Sequence, residues 1–228
     1  MLKLIDMYKI ILEEAAPGGT MELGQTPIED AIAYCNRMGL KIPKLEQHLK
    51  LAYKLFSYGK TKREDMPVIN TVDVRELQHR LKNGNIDFNQ PYSPNTDSSN
   101  PFPSGLSYSD AAKFMSNGLH DKSRPDDQIH VVQKLIPAKD LKPIQKQVYL
   151  DKAVLKIVKS NGSIDYLRNA ILICSSDNRI IDGHHRYLAA LIVNPYFKVN
   201  CLVVDLPISK LLPFATAYGD AIGNERNF

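Results

Sequence analysis

Two adjacent histidines and an arginine lie in the stretch DGHHR, residues 182–186, and could do chemistry together. A strand-like apolar run precedes them, and a helix-like apolar run follows them. The N-terminus of a helix presents backbone N–H groups and the positive end of a dipole, which favour a phosphate or a carboxylate. Arg186, in the first turn of that helix, can add a bidentate contact to phosphate oxygens. The pattern therefore predicts an anion-binding turn.

The same five residues also allow simpler interpretations. Gly183 can supply only a permissive turn, and Asp182 can be an ordinary N-cap. A zinc site is disfavoured, because chelation from one helix prefers histidines at i and i+4 rather than adjacent ones. The chain also lacks the G-x-S-x-G motif of a serine nucleophile. An anion cradle remains the best chemical interpretation, with at most one of the two histidines facing the ligand.

The composition sets limits on the class of protein. The chain has 228 residues, of which 43% are hydrophobic and 24% charged, with a net charge of +4. This charge allows a basic patch without requiring nucleic acid as a partner. Three distant cysteines with no C-x-x-C pair predict reduced thiols. No apolar run reaches the roughly 18 residues of a membrane span, so we expect a cytoplasmic protein without a membrane partner.

Helical patterns dominate residues 1–88, which we take as a mostly helical N-terminal region. The N-terminal segment carries acidic residues through its apolar run, so it predicts an amphipathic helix rather than a signal peptide. A second helix is expected after Pro27, and a third follows Pro43 with an apolar stripe. A fourth begins after Thr71 and ends at Gly84. The apolar stripe of the third helix consists of Leu45, Leu49, Ala52 and Phe56.

Residues 89–128 hold a segment rich in proline, serine and asparagine, followed by a short helix. This composition predicts a linker and a domain boundary. From residue 129 the pattern changes to alternating strands and helices, with a hairpin turn at Asp177-Asn178. Residues 129–228 are therefore predicted to form a small α+β domain with a short C-terminal tail.

The stretch IIDGHHRYLAALI, preceded by a helix and a two-strand hairpin, resembles the signature turn of the ParB/sulfiredoxin superfamily. The resemblance covers residues 129–212, and it is closest to phage ParB-like proteins and free serine kinases. It implies a small mixed-sheet domain of the α+β class next to the helical N-terminal region. It also implies the host cytoplasm as the location if the chain is encoded by a phage.

The resemblance further implies a nucleotide-binding protein, either a kinase-like phosphotransferase or a nucleotide hydrolase. ATP, ADP or CTP would be the ligand, and Mg²⁺ the cofactor. Asp182 would position the turn or bind the Mg²⁺, and the implied catalytic residues are His185, Asp182 and His184. The implied phosphate-binding residues are Gly183, His184, Arg186, Lys152 and Gln145.

The sequence departs from these relatives at two positions. His184 stands where sulfiredoxins have their reactive cysteine, so repair of sulfinic acids is not expected. Gln145 stands near the place where free serine kinases have an acidic base, and an amide cannot accept the substrate proton. The role of the base would then fall to His185 or Asp182.

Two other classes of function stay open. The chain could be a ParB-like DNA-binding or nuclease module, whose basic side chains follow a phosphate backbone. It could also be a non-catalytic ligand-binding or assembly protein that uses its N-terminal helices as a partner surface. An oligomeric state is not indicated. The basic residues are Lys134, Lys139, Lys142, Lys146, Lys152, Lys156, Lys159 and Arg168.

Overall fold

The fold combines helices with one five-stranded mixed sheet, which confirms the predicted α+β class. A computed structural model describes residues 20–87, 108–120, 124–160 and 171–224. The predicted N-terminal helix and most of the proline-rich linker lie outside these residues. The strand order is β1-β5-β3-β4-β2. The strands are β1 Val131–Pro137, β2 Lys142–Pro143, β3 Ile171–Ser175, β4 Arg179–Asp182 and β5 Lys198–Val204.

The helices follow the predicted ones closely where the structure describes them. They are α1 Ile28–Arg37, α2 Leu45–Phe56, α3 Val74–Asn83, α4 Tyr108–Phe114, α5 Arg124–Asp127, α6 Leu150–Lys159, α7 His184–Val193 and α8 Ile208–Ala221. Helix α8 is a difference, since the sequence predicts only a short tail there. Pro213 lies inside this helix and obscures its helical pattern. Its buried residues include Leu211, Phe214, Ala215 and Tyr218, which have helical spacing.

The chain divides into two compact units, each built from three stretches of sequence. The first unit falls within Met1–Lys60, Leu135–Ala170 and Gly183–Asn200. The second falls within Thr61–Lys134, Ile171–Asp182 and Cys201–Phe228. The domain boundaries predicted at residues 88 and 128 stay a prediction.

The first unit is organised around helix α7, which is apolar on nearly all sides. Its residues from Tyr187 to Ile192 are all buried, as expected for a central helix. Helices α2 and α6 pack against it. The predicted stripe of α2 is buried as expected, and its Phe56 ring lies 5.7 Å from that of Tyr187. The Tyr187 hydroxyl donates to the Leu141 carbonyl at 3.0 Å, so the tyrosine is satisfied inside the core.

The second unit contains the predicted hairpin of β3 and β4. The strands are antiparallel, with Ile173 opposite Asp182 and Cys174 opposite Ile180. Asn178 in the turn has φ 60°, a left-handed conformation that asparagine tolerates better than most residues. The hairpin ends at Asp182, and the next residue, Gly183, opens the candidate site. The local sequence therefore sets where the site begins.

All three cysteines of the chain are buried. Burial raises the pKa of Cys35 to about 12. A thiol with so high a pKa carries almost no thiolate at neutral pH and is a poor nucleophile. Cys35 therefore serves as a small apolar core residue.

Candidate phosphate-binding site

The predicted turn is formed by Gly183, which is the N-cap of helix α7. Its φ of 96° and ψ of 23° are left-handed, so the backbone conformation suits glycine there. The interpretation of Asp182 as the N-cap is wrong, because Asp182 is the last residue of β4. No side chain caps the helix N-terminus. The α7 N-terminus therefore has the backbone geometry that suits an anion.

His184 is buried, with 3% of its surface exposed. Its Nε2 accepts hydrogen bonds from the backbone N–H groups of Ile144 and Gln145, each at 3.3 Å. Burial lowers the pKa of His184 to about 3, so the ring is neutral at pH 7. An accepting Nε2 places the ring proton on Nδ1. This geometry gives His184 a structural role, and its predicted catalytic and phosphate-binding roles stay a prediction.

His185 makes a similar bond in a less buried position. Its Nε2 accepts from the backbone N–H of Tyr149 at 3.2 Å. The rings of His185 and Tyr149 are stacked, with centroids 6.2 Å apart and an angle of 4° between their planes. The two histidines thus hold opposite ends of the segment of residues 144–149, which we call the connector. Sequence reasoning expected one histidine to be structural, and the contacts give both of them a bond to the connector.

Lys152 is brought beside this stack. Its Nζ lies 5.5 Å from the centroid of the Tyr149 ring, within the range of a cation–π contact. Tyr149 is the N-cap of helix α6, which also has no side-chain cap. The N-termini of α6 and α7 therefore meet at the Tyr149–His185 stack. Lys152 and His185 thus both contact Tyr149, and the phosphate-binding roles that the resemblance implies for this region stay a prediction.

Gln145 has a different environment from the one predicted. Its side chain is buried, and its amide Nε2 donates to the Gln147 carbonyl inside the connector. Gly59 packs against the backbone of Gln145, where a Cβ would lie only 2.4 Å from the Gln145 carbonyl oxygen. The Gln145 side chain therefore stabilises the connector, and its contact with a phosphate stays a prediction.

Asp151 was missed by the sequence analysis. Its carboxylate is only 2% exposed, and Oδ2 accepts from the Thr20 backbone N–H at 3.0 Å. Among the described residues, Oδ1 has no hydrogen-bond partner. An acid in the first turn of a helix is usually explained by the helix dipole, so the sequence carried no further signal. Its hydrogen-bond partner, residue 20, is 131 positions away in the chain, so the contact depends on tertiary structure.

Magnesium binding at Asp182 stays a prediction. In the described parts of the chain, no three His, Cys, Asp or Glu side chains come together as a metal site. Mg²⁺, however, is often held by one or two carboxylates together with substrate phosphates and water. Asp182 is a single carboxylate that directly precedes the Gly183 turn in sequence, which is compatible with that pattern. Asp182 would then hold the ion only when a nucleotide is bound.

The basic residues considered for DNA binding do not all have free charges. Lys139 pairs with Asp140 at 2.9 Å, and its Nζ lies 5.6 Å from the Tyr196 ring centroid. Arg168 lies outside the described residues. DNA binding therefore stays a prediction without a specific structural observation in its favour. Within the described ranges, no helix is long and apolar enough to cross a membrane.

Comparison with known proteins adds no relative, since no family model, curated protein or solved structure matches the chain. The resemblance to the ParB/sulfiredoxin superfamily thus stays a prediction.

Proposed function

We propose that this protein binds a nucleotide, such as ATP, ADP or CTP, with its phosphates at the N-terminus of α7. One observation carries the proposal. Lys152 of α6 and His185 of α7 both contact the ring of Tyr149, so two helix N-termini and a lysine adjoin the same place. Arg186 lies one residue further along α7 and supplies the second side-chain cation.

The electrostatics of this arrangement favour a polyanion. Each helix N-terminus carries the equivalent of roughly half a positive charge, and neither helix has a side-chain cap. Lys152 and Arg186 add a positive charge each, and Asp151 in the first turn of α6 offsets one of them. A charge-assisted hydrogen bond to phosphate contributes about 1.5–3 kcal/mol. Several such bonds together are sufficient for specific binding of a phosphate chain.

We further propose that the site transfers or hydrolyses the terminal phosphate, with Mg²⁺ held in part by Asp182. Phosphoryl transfer depends mainly on positioning and on neutralisation of charge, and the cationic groups of this site supply both. His184 is not the base, because its Nε2 is already an acceptor in the core. His185 or Asp182 remains for that role, and His185 would first have to release the Tyr149 N–H.

Calorimetric titration of the full chain with ATP, ADP and CTP in the presence of Mg²⁺ tests binding. We expect Arg186→Ala and Lys152→Ala each to weaken nucleotide affinity about tenfold or more, since each removes a charged contact. Lys159→Ala is the matched control, because Lys159 is exposed at the opposite end of α6. Equal nucleotide affinity in all three variants would contradict the proposed site.

A phosphate-release assay on the same preparations tests the reaction. We expect nucleotide turnover in the wild-type chain and its loss in Asp182→Asn with nucleotide still bound. Nucleotide binding without any turnover would reduce the proposal to a nucleotide-binding protein. Salt-dependent binding to duplex DNA with no nucleotide binding would favour the DNA-binding class instead.

A further inference from the structure

A cavity lies within the first unit, lined by residues other than those of the α7 N-terminus. Its volume is about 420 Å³, inside the range of roughly 300–1,000 Å³ that small-molecule sites occupy. One wall comes from residues 22–25, and another comes from the end of α2 and the residues after it. Lys146 of the connector completes the lining. None of these residues belongs to the proposed nucleotide site.

The cavity walls are held in place by backbone bonds rather than by side chains. Leu23 donates its N–H to the Val148 carbonyl at 2.8 Å, and Glu22 pairs with Tyr149 in an antiparallel bridge. On the opposite side, Lys60 donates its N–H to the Ile144 carbonyl at 2.9 Å. The cavity therefore exists before any ligand arrives, which lowers the cost of binding.

Two opposite charges line the cavity. Glu22 is half-buried, and its carboxylate Oε2 accepts a hydrogen bond from Gln25 at 3.0 Å. Lys146 is exposed at the other wall. In the part of the chain that the structure describes, neither residue forms a salt bridge. A ligand with one positive and one negative group could therefore satisfy both without separating an existing pair.

The remaining lining is apolar at its base. Phe56 and Leu23 are buried, with 5% and 1% of their surfaces exposed. Tyr53 adds a half-buried ring, and its hydroxyl already donates to the Thr26 carbonyl at 2.7 Å. The Tyr53 ring is therefore presented to the cavity mainly as an apolar surface. Burying apolar ligand area here contributes roughly 25 cal/mol per Å².

From these walls we infer that the cavity binds a small zwitterion with an apolar or aromatic body. Its ammonium group faces Glu22, its carboxylate faces Lys146, and its body rests on Phe56 and Leu23. The apolar base selects against small polar zwitterions, which would leave this surface exposed to water. The inference is independent of the proposed nucleotide site, because it uses none of the same side chains.

Titration calorimetry of the full chain with L-phenylalanine as the probe tests this inference. We expect saturable binding, with at least tenfold weaker binding of three analogues that each lack one feature. The analogues are 2-phenylethylamine without the carboxylate, 3-phenylpropanoate without the ammonium group, and L-serine without the apolar body. Equal affinity of phenylalanine and all three analogues would overturn the inference.

Variants assign each group to its wall. Glu22→Gln should weaken the binding of L-phenylalanine and 2-phenylethylamine about tenfold and leave the binding of 3-phenylpropanoate unchanged. Lys146→Gln should weaken the binding of L-phenylalanine and 3-phenylpropanoate about tenfold and leave the binding of 2-phenylethylamine unchanged. Lys54→Gln, an exposed lysine of α2 outside the lining, is the control. A loss of phenylalanine affinity in the control equal to that in Lys146→Gln would overturn the assignment.

Gly24→Leu tests the cavity without removing its charges. A Cβ at Gly24 would lie 4.0 Å from Glu22 Oε1, an ordinary van der Waals distance, so this position of the lining has room for a larger side chain. We expect an unchanged melting temperature and loss of phenylalanine binding. Unchanged phenylalanine binding in this variant would overturn the inference. Lys152→Ala should leave phenylalanine binding intact, which separates this site from the nucleotide site.

Discussion

The two ends of the connector are held by the same chemistry in different surroundings. At one end, His184 accepts two backbone N–H groups inside the core, and at the other, His185 accepts one in a half-exposed stack. Both sets of hydrogen bonds need an unprotonated Nε2 that can act as acceptor. Burial makes the first bond part of the fold, whereas the second lies beside Lys152 and the open helix N-termini. Adjacent residues of one type thus divide into a buried structural role and a position beside the proposed nucleotide site.

The largest expected effect comes from the buried end. His184→Ala would leave two buried N–H groups without an acceptor and would open a cavity in the core. We expect a loss of about 3 kcal/mol in the free energy of unfolding, measured by urea denaturation at pH 7. His120→Ala, at an exposed histidine, is the control and should change little. A loss below about 0.5 kcal/mol for His184→Ala would mean that the bonds to the connector contribute little.

A smaller effect follows from the depressed pKa of His184. In the unfolded chain, the His184 ring takes up a proton near pH 6.5, whereas in the folded chain it does so only near pH 3. Stability from this residue is therefore present above pH 6.5 and is lost as pH falls, by up to about 1.4 kcal/mol per pH unit. His184→Gln keeps an acceptor without a titrating ring. Denaturation between pH 7 and pH 5 should show a shallower fall in this variant, and an equal fall would contradict the assignment.

The smallest effect belongs to the exposed end. His185→Ala removes one hydrogen bond and one ring stack, so we expect a loss of about 1 kcal/mol in the free energy of unfolding. The comparison of the two ends sharpens if this variant also weakens nucleotide binding while His184→Gln does not. Calorimetric titration with nucleotide, as described for the proposed function, measures the affinity of both variants. A stability loss for His185→Ala as large as that for His184→Ala would remove the distinction between the two ends.

Much of the fold was predictable because its signals are local. The stripe of α2, the hairpin of β3 and β4 and the start of α7 each depend on residues within one or two turns of each other. Gly183 was expected to be permissive, and its φ of 96° shows why glycine stands there. Helix α8 was missed for the same local reason, since Pro213 interrupts a pattern that its buried face completes.

The candidate site was predictable only in part. The residues around Gly183 were found because a strand, a glycine and a helix occur in order. The environment of Gln145 was not predictable, because this environment depends on His184, which is 39 residues away in the chain. Asp151 gave no signal at all, since its hydrogen bond comes from the backbone of residue 20, far away in the chain.

The sequence by itself determined most element types, the α+β class and the glycine turn between β4 and α7, because periodicity and turn chemistry act over a few residues. Only the tertiary structure decided that both histidines hold the connector, that Lys152 and His185 both contact Tyr149, and that a charged cavity forms beside α2. Those features depend on contacts between distant segments. Burial then decides protonation, since the environment of His184 comes from residues that its neighbours in sequence do not specify.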